Sequence, residues 1–180
     1  MPLNLIFGPM FSGKTTKLVE IYNNLVLSSV DPNTILVINH TIDTRTAKGV
    51  ISTHDFTSDV PCVHLDNLMD ALKYASWCNC EYILINEAQF FGDLIEFANT
   101  VDLNSKTVYV SGLNGDYKQE AFGNIHSIIP MADNVTFLKG RCSICNGASV
   151  FTKRIVNNDA VTLVGASDYY EPRCRKCLSL

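Results

Sequence analysis

Gly8-Pro9-Met10-Phe11-Ser12-Gly13-Lys14-Thr15 is the stretch on which the reading of this chain turns. It fits the pattern G-x-x-x-x-G-K-[ST], and its context is the one that pattern requires. Before it, Leu3-Asn4-Leu5-Ile6-Phe7 is a short apolar run that reads as a buried strand. After it, Lys17 to Tyr22 and then Leu25-Val26 carry apolar residues at helical spacing. A strand, a glycine-containing turn and a helix in that order make an anion cradle, because the free N–H groups of the turn and of the helix start face the same point. In such a loop Lys14 reaches the β- and γ-phosphates of a nucleotide, and Thr15 is the candidate ligand for its Mg²⁺. A plain glycine turn that holds nothing is the competing reading.

Outward from this loop, Thr34 to Ile38, Tyr82 to Ile85 and Thr107 to Val110 are further strand-like runs. Leu65 to Ala75 and Asp93 to Ala98 read as helical segments between them. Strands alternating with helices imply an α/β fold with a parallel sheet covered on both faces. The alternation stops near Val135 to Leu138, which puts a boundary at about residue 139. Residues 1–138 then form the nucleotide-binding unit, and residues 139–180 form an appendage of a size that usually needs a metal or a disulfide to stay folded.

Composition narrows the function classes. The 180 residues are 47% hydrophobic and 18% charged, with a net charge of −4. That balance favours a packed core over disorder. It also lacks the basic footprint of a nucleic-acid binder, so no nucleic-acid partner is expected. No span approaches the roughly 20 apolar residues of a membrane helix, and the apolar start is too short for a secretory signal. A soluble, cytoplasmic protein is the expectation.

The strand at Tyr82 to Ile85 runs into Asn86-Glu87-Ala88-Gln89-Phe90-Phe91. An acidic residue that helps to hold Mg²⁺ is expected at such a strand end, and Asn86 occupies the place. Glu87 follows at the carboxyl end of the strand, where open α/β sheets bind their ligands, and it is the best candidate general base. A surface carboxylate is the plainer alternative for Glu87.

Seven cysteines is an odd number, and four of them form two C-x-x-C pairs, Cys142/Cys145 and Cys174/Cys177, with 28 residues between the inner members. Four thiolates meeting tetrahedrally make a closed structural Zn²⁺ site with no open position for a substrate. Two redox dithiols are the alternative, although neither pair follows a strand and opens a helix. Cys62, Cys78 and Cys80 read as buried or half-buried thiols. A second metal site from Cys62 and His64 is the weaker option, and His40, His54 and His126 read as structural.

Taken together, the GPMFSGKT loop, the NEAQFF segment, Asp43-Thr44-Arg45, Phe-Thr-Lys-Arg at 151–154 and the cysteine pairs closed by Tyr170-Glu171-Pro172 resemble one family over nearly the whole chain. That family is the zinc-containing thymidine kinases of animal cytosol, many bacteria and large DNA viruses. The resemblance implies a P-loop NTPase-like parallel sheet flanked by helices, with a small C-terminal zinc hairpin and a nucleoside-binding lasso. It implies transfer of the ATP γ-phosphoryl group to the 5′-hydroxyl of thymidine, with deoxyuridine secondary. By the same likeness Glu87 is the catalytic base, and Lys14 and Arg45 act on the transferred charge. The ATP site comprises Gly8 to Thr15, Asp43, Thr44, Arg45, Asn86, Glu87, Ala88 and Gln89. Met10, Phe90, Leu113, Tyr117, Phe122, Thr152 and Tyr170 surround the base, and Val161, Thr162, Leu163, Val164 and Gly165 form the lasso.

Certain positions depart from the family pattern. Asn86 and Asn114 each replace an aspartate, Tyr117 replaces a phenylalanine, and Ala166 and Ser167 lie where glycine is commoner. The change at Asn86 lowers the Mg²⁺ affinity to be expected and leaves Asp43 able to take over part of that role. A homotetramer in the cytoplasm (the host cytoplasm if viral), with feedback inhibition by deoxythymidine triphosphate, is implied by resemblance alone. The function from another class is a nucleotide- and zinc-binding module with weak or no kinase activity. A nucleoside-monophosphate kinase ranks low, because Arg45 is the sole arginine before Arg141.

Overall fold

The apolar runs named above become strands whose side chains alternate between two buried faces. The computed structural model describes residues 2–44, 49–52, 59–101, 105–157 and 167–179. In chain order its main elements are β1 (Leu3–Gly8), α1 (Lys14–Leu27), β2 (Ile35–His40), β3 (Val50–Ile51), β4 (Val60–Pro61), β5 (Val63–Leu65) and β6 (Tyr82–Ile85). Then follow α2 (Leu94–Thr100), β7 (Thr107–Leu113), β8 (Asn134–Phe137), β9 (Gly140–Arg141), β10 (Ala148–Ser149), β11 (Phe151–Arg154) and β12 (Tyr170–Arg173).

Six strands form one sheet in the order β5-β2-β6-β7-β1-β8, and every pairing in it is parallel. Leu3, Leu5 and Phe7 of β1, Leu36 and Ile38 of β2, and Ile83 and Ile85 of β6 point to one face, where Phe91, Leu94 and Phe97 close over them. Ile6, Ile35, Val37 and Leu84 point to the other, against Leu18 and Val19 of α1. Side chains alternate with a period of two along a strand, so strands buried on both faces are mostly apolar, with Asn4 the one polar residue in the β1 run. Burying each such side chain contributes roughly 1.5–3 kcal/mol, so the sheet is rigid and its carboxyl edge is a fixed platform.

The segment read as helical from Leu65 to Ala75 differs. Leu65 ends β5, and 3-10 turns occupy Leu68–Lys73 and Ala75–Cys78. The cause is tertiary: Met69 N–H donates to Asp93 Oδ2 at 2.9 Å, and the three-residue repeat turns Leu68 and Ala71 onto the core together, both 0% exposed. Val135 to Leu138, where the alternation was expected to stop, supplies β8 as an edge strand beside β1, with all four of its residues exposed.

Outside the sheet the described residues form three antiparallel ribbons, β3 with β4, β9 with β10 and β11 with β12. Among the described residues, no helix is long and apolar enough to cross a membrane.

Candidate active site

The phosphate loop leaves β1 at Gly8, where a Cβ would lie 2.3 Å from Ser12 Oγ and 2.9 Å from Leu138 O, so only glycine lets the loop fold back on itself. Gly13 then turns the chain into α1 at φ +82°, a left-handed conformation that costs glycine nothing. Neither a side-chain cap nor an acidic residue stands at the start of α1. Its first N–H groups and the positive end of its dipole are thus directed at whatever anion enters the loop. Lys14 is buried, and its Nζ donates to Pro9 O at 2.7 Å, curling over the loop it belongs to.

Strand β6 delivers the second half of the site at the same sheet edge. Thr15 Oγ1 donates to Asn86 Oδ1 at 3.2 Å, so the residue after Lys14 touches the residue before Glu87. Asn86 Nδ2 donates to Asn39 Oδ1 at 3.1 Å, and Asn39 Nδ2 to Asp43 Oδ2 at 3.1 Å. Glu87 is 8% exposed and adopts φ +53°, ψ +41°. A left-handed glutamate holds backbone strain of about 1–2 kcal/mol, of the kind that persists where a side chain must be aimed. Gln89 secures that aim: its Nε2 donates to Glu87 Oε2 at 2.7 Å, while its Oε1 accepts from Leu113 N at 3.1 Å. A carboxylate fixed in this way beside a phosphate cradle can take a proton from a hydroxyl group brought between them.

Six of the seven predicted base-contacting residues fall into three pairs, and Leu113 stands apart from them. Met10 N–H donates to Thr152 Oγ1 at 2.9 Å, which ties the loop to β11. Phe90 and Phe122 meet edge to face, with centroids 5.4 Å apart. Tyr117 and Tyr170 share Arg154, whose guanidinium lies 3.8 Å from the Tyr117 centroid and donates to Tyr170 Oη at 2.6 Å. Leu113 sits at the end of β7 and Asn114 donates to Val150 O at 3.2 Å. Asp43, Ala88 and Gln89 are buried and Thr44 is exposed. Arg45 and Val161 to Gly165 lie outside the described residues.

Two residues escaped the sequence reading. Asn39 ends a run of apolar residues in β2 and is 0% exposed, and the signal was a lone amide at the carboxyl end of a buried strand. Arg154 is 8% exposed between two tyrosines, and its only signal in the sequence was its place in the Phe-Thr-Lys-Arg stretch.

Sγ atoms of Cys142, Cys145, Cys174 and Cys177 all lie within 4.8 Å of one another, with Cys145 and Cys174 at 3.6 Å. A tetrahedral site with Zn–S of about 2.3 Å sets its sulfurs about 3.8 Å apart, so this cluster could hold a metal ion. None of the four is in a disulfide. Burial opposes ionisation of Cys142, but N–H groups of Cys145, Cys174 and Ile144 outweigh it and bring the thiol down to about 6. Hydrogen bonding with Cys174, then burial, pushes Cys177 up to about 12. Hydrogen bonding, first from the Cys177 N–H, lowers the Cys174 thiol as well, and a bound dication would favour the thiolate form of all four.

Comparison with known proteins adds to this geometry. A family model described as "Thymidine kinase" matches residues 1–178. "Thymidine kinase a" of Arabidopsis thaliana is 39% identical over 178 residues, covering 97% of this chain and 73% of that protein. "Thymidine kinase" of Yaba monkey tumor virus is 35% identical, over 97% of this chain and 93% of its own. "Thymidine kinase, cytosolic" of Gallus gallus is 34% identical, over 97% and 75%.

Proposed function

Because the chain belongs to the thymidine kinase family, we propose that it transfers the γ-phosphoryl group of ATP to the 5′-hydroxyl of thymidine, with deoxyuridine as a secondary substrate. The hydrogen bond from Thr15 to Asn86 carries this reading, because it brings the phosphate loop and the turn that holds Glu87 to one edge of the sheet. Glu87 accepts the proton of the 5′-hydroxyl as that oxygen attacks the γ-phosphorus, and the bond to the β,γ-bridging oxygen breaks, leaving ADP. Phosphoryl transfer passes through a loose transition state, so alignment and neutralisation of charge contribute more than the base does. Lys14 exchanges Pro9 O for phosphate oxygens, and Arg45 stabilises the transferred group.

Thr15 and Asn86 offer hard oxygen donors that would hold Mg²⁺, and the ion would supply neutralisation of phosphate charge there. Four clustered thiols fit a structural Zn²⁺. In this reading residues 1–138 bind ATP, and residues 139–180 carry the zinc site and the nucleoside-binding segment. Met10, Phe90, Leu113, Tyr117, Phe122, Thr152 and Tyr170 enclose the base, and main-chain groups of Val161 to Gly165 read its edge. A cytoplasmic homotetramer, inhibited by deoxythymidine triphosphate, completes the proposal by family likeness.

Labelled phosphate transfer from ATP to a panel of nucleosides tests it. Thymidine is expected to be the best acceptor, followed by deoxyuridine. Transfer to purine nucleosides with none to thymidine would overturn the substrate, and transfer to none of them would leave a nucleotide-binding module.

A further inference from the structure

Thr15, Asn86, Asn39 and Asp43 form one uninterrupted series of side-chain hydrogen bonds from the phosphate loop into the end of β2. Asn39, Asn86 and Asp43 are 0%, 2% and 7% exposed, so water does not compete for these groups. An amide is ambivalent in such a series, since turning it over exchanges a carbonyl oxygen for an NH₂ group. An ionised carboxylate is not, because it only accepts. Asp43 therefore draws the NH₂ of Asn39 toward itself. His64 Nε2 lies 3.4 Å from the same nitrogen, but a carboxylate at 3.1 Å outweighs an imidazole nitrogen at that length.

With its NH₂ committed to Asp43, Asn39 turns its carbonyl toward Asn86, which in turn commits the Asn86 NH₂ and leaves Asn86 Oδ1 facing Thr15. Reversing the series would present an NH₂ group to the loop, the wrong end of a dipole for a cation. In phosphate-loop proteins an aspartate at this strand end normally provides both the oxygen and the charge. Here the oxygen is at Asn86 and the charge is at Asp43.

We infer that Asp43 is a positioning residue for the metal of bound metal–ATP: acting through Asn39 and Asn86, its carboxylate aims the Asn86 carbonyl oxygen at the cation beside Thr15. This rests on the ATP-binding reading given above. The test measures Mn²⁺ affinity of the full chain with ATP by electron paramagnetic resonance, alongside ATP affinity without metal. Asp43→Asn removes the group that sets the direction and should weaken Mn²⁺ binding about tenfold, as loss of an outer partner of a metal ligand commonly does, a larger factor than any change in metal-free ATP binding. Asn39→Leu, which cuts the series in the middle at similar volume, should reproduce that loss. In an Asn86→Asp background the oxygen needs no aiming, so adding Asp43→Asn should change Mn²⁺ affinity by less than about twofold, the coupling having gone.

Unchanged Mn²⁺ affinity in Asp43→Asn, or an equal loss in both backgrounds, overturns the inference while leaving the kinase reading intact. An unmodified chain that binds no Mn²⁺ in the presence of ATP overturns both.

Discussion

The sheet and the cysteine ribbons are held together by different means. Buried in the sheet are Leu3, Leu5, Phe7, Ile38, Ile83, Leu84 and Ile85, on two faces that close against helices and 3-10 turns. Buried in the ribbons are Cys142, Ser149, Thr152, Arg154, Tyr170, Arg173 and Cys177. The first set folds by removing apolar area from water. The second has little such area to remove and depends on a cluster of thiols, on Arg154 between two tyrosines, and on Arg173, which donates to Cys177 O at 2.9 Å and pairs with Glu171. What the difference teaches is a division of labour in stability: the sheet that carries the phosphate loop and Glu87 is held by apolar packing, and the cysteine ribbons are held by polar contacts and clustered thiols.

Chelation would break that contrast most visibly. Dialysis against a strong zinc chelator is expected to abolish hydrogen-exchange protection in β10, β11 and β12 while β1, β6 and β7 stay protected, because in small zinc modules about 10 kcal/mol or more of folding free energy comes from the metal. Turnover should disappear with it. Uniform loss of protection across both regions would show that the sheet does not stand alone.

Glu87→Gln sharpens the same contrast from the other side. It should lower kcat about 10³-fold while thymidine still raises the melting temperature and the bound metal content is unchanged. Full activity in this variant would remove Glu87 as the base. Thr152→Val is a smaller perturbation at the seam, since it deletes the acceptor of Met10 N–H with little change in volume. A loss of about 1 kcal/mol in urea denaturation, with a raised KM for nucleoside, is the expected result. Unaltered values would mean that this bond does not couple the regions.

The smallest effect belongs to His40, packed against Phe90 and Phe91 at the sheet edge. Burial disfavours its imidazolium and lowers its pKa below 6.5, with Asp66 and Asp93 partly opposing. The unfolded chain therefore takes up this proton more readily than the folded one. Its contribution to stability is present above pH 6.5 and is lost as pH falls through the folded value. Urea midpoints at pH 5, 6 and 7 on the metal-saturated protein should show that slope, and His40→Gln should flatten it.

Legibility in the sequence followed the range of the cause. The phosphate loop, β1 and α1 could be read because Gly8, Gly13, Lys14 and the apolar runs act on their immediate neighbours. The pairing of the C-x-x-C motifs was readable for the same reason, since thiol chemistry needs only spacing. Leu65 to Ala75 was misassigned as an ordinary helical segment because Asp93, 24 residues beyond Met69, claims its N–H. Asn39 showed in the sequence only as a lone amide at the end of a buried strand, because an amide acquires a direction only from what stands at either end of it.

By itself, then, the amino-acid sequence determined the strand-loop-helix turn, the apolar strands and the four cysteines that come together, each a matter of local stereochemistry or residue type. Only the tertiary structure decided that Thr15 meets Asn86, that Gln89 links Glu87 to Leu113 of β7, and that Asn39 meets Asn86. Those contacts join residues 71, 24 and 47 positions apart, and packing of the parallel strands, not any local rule, brings such residues to one edge.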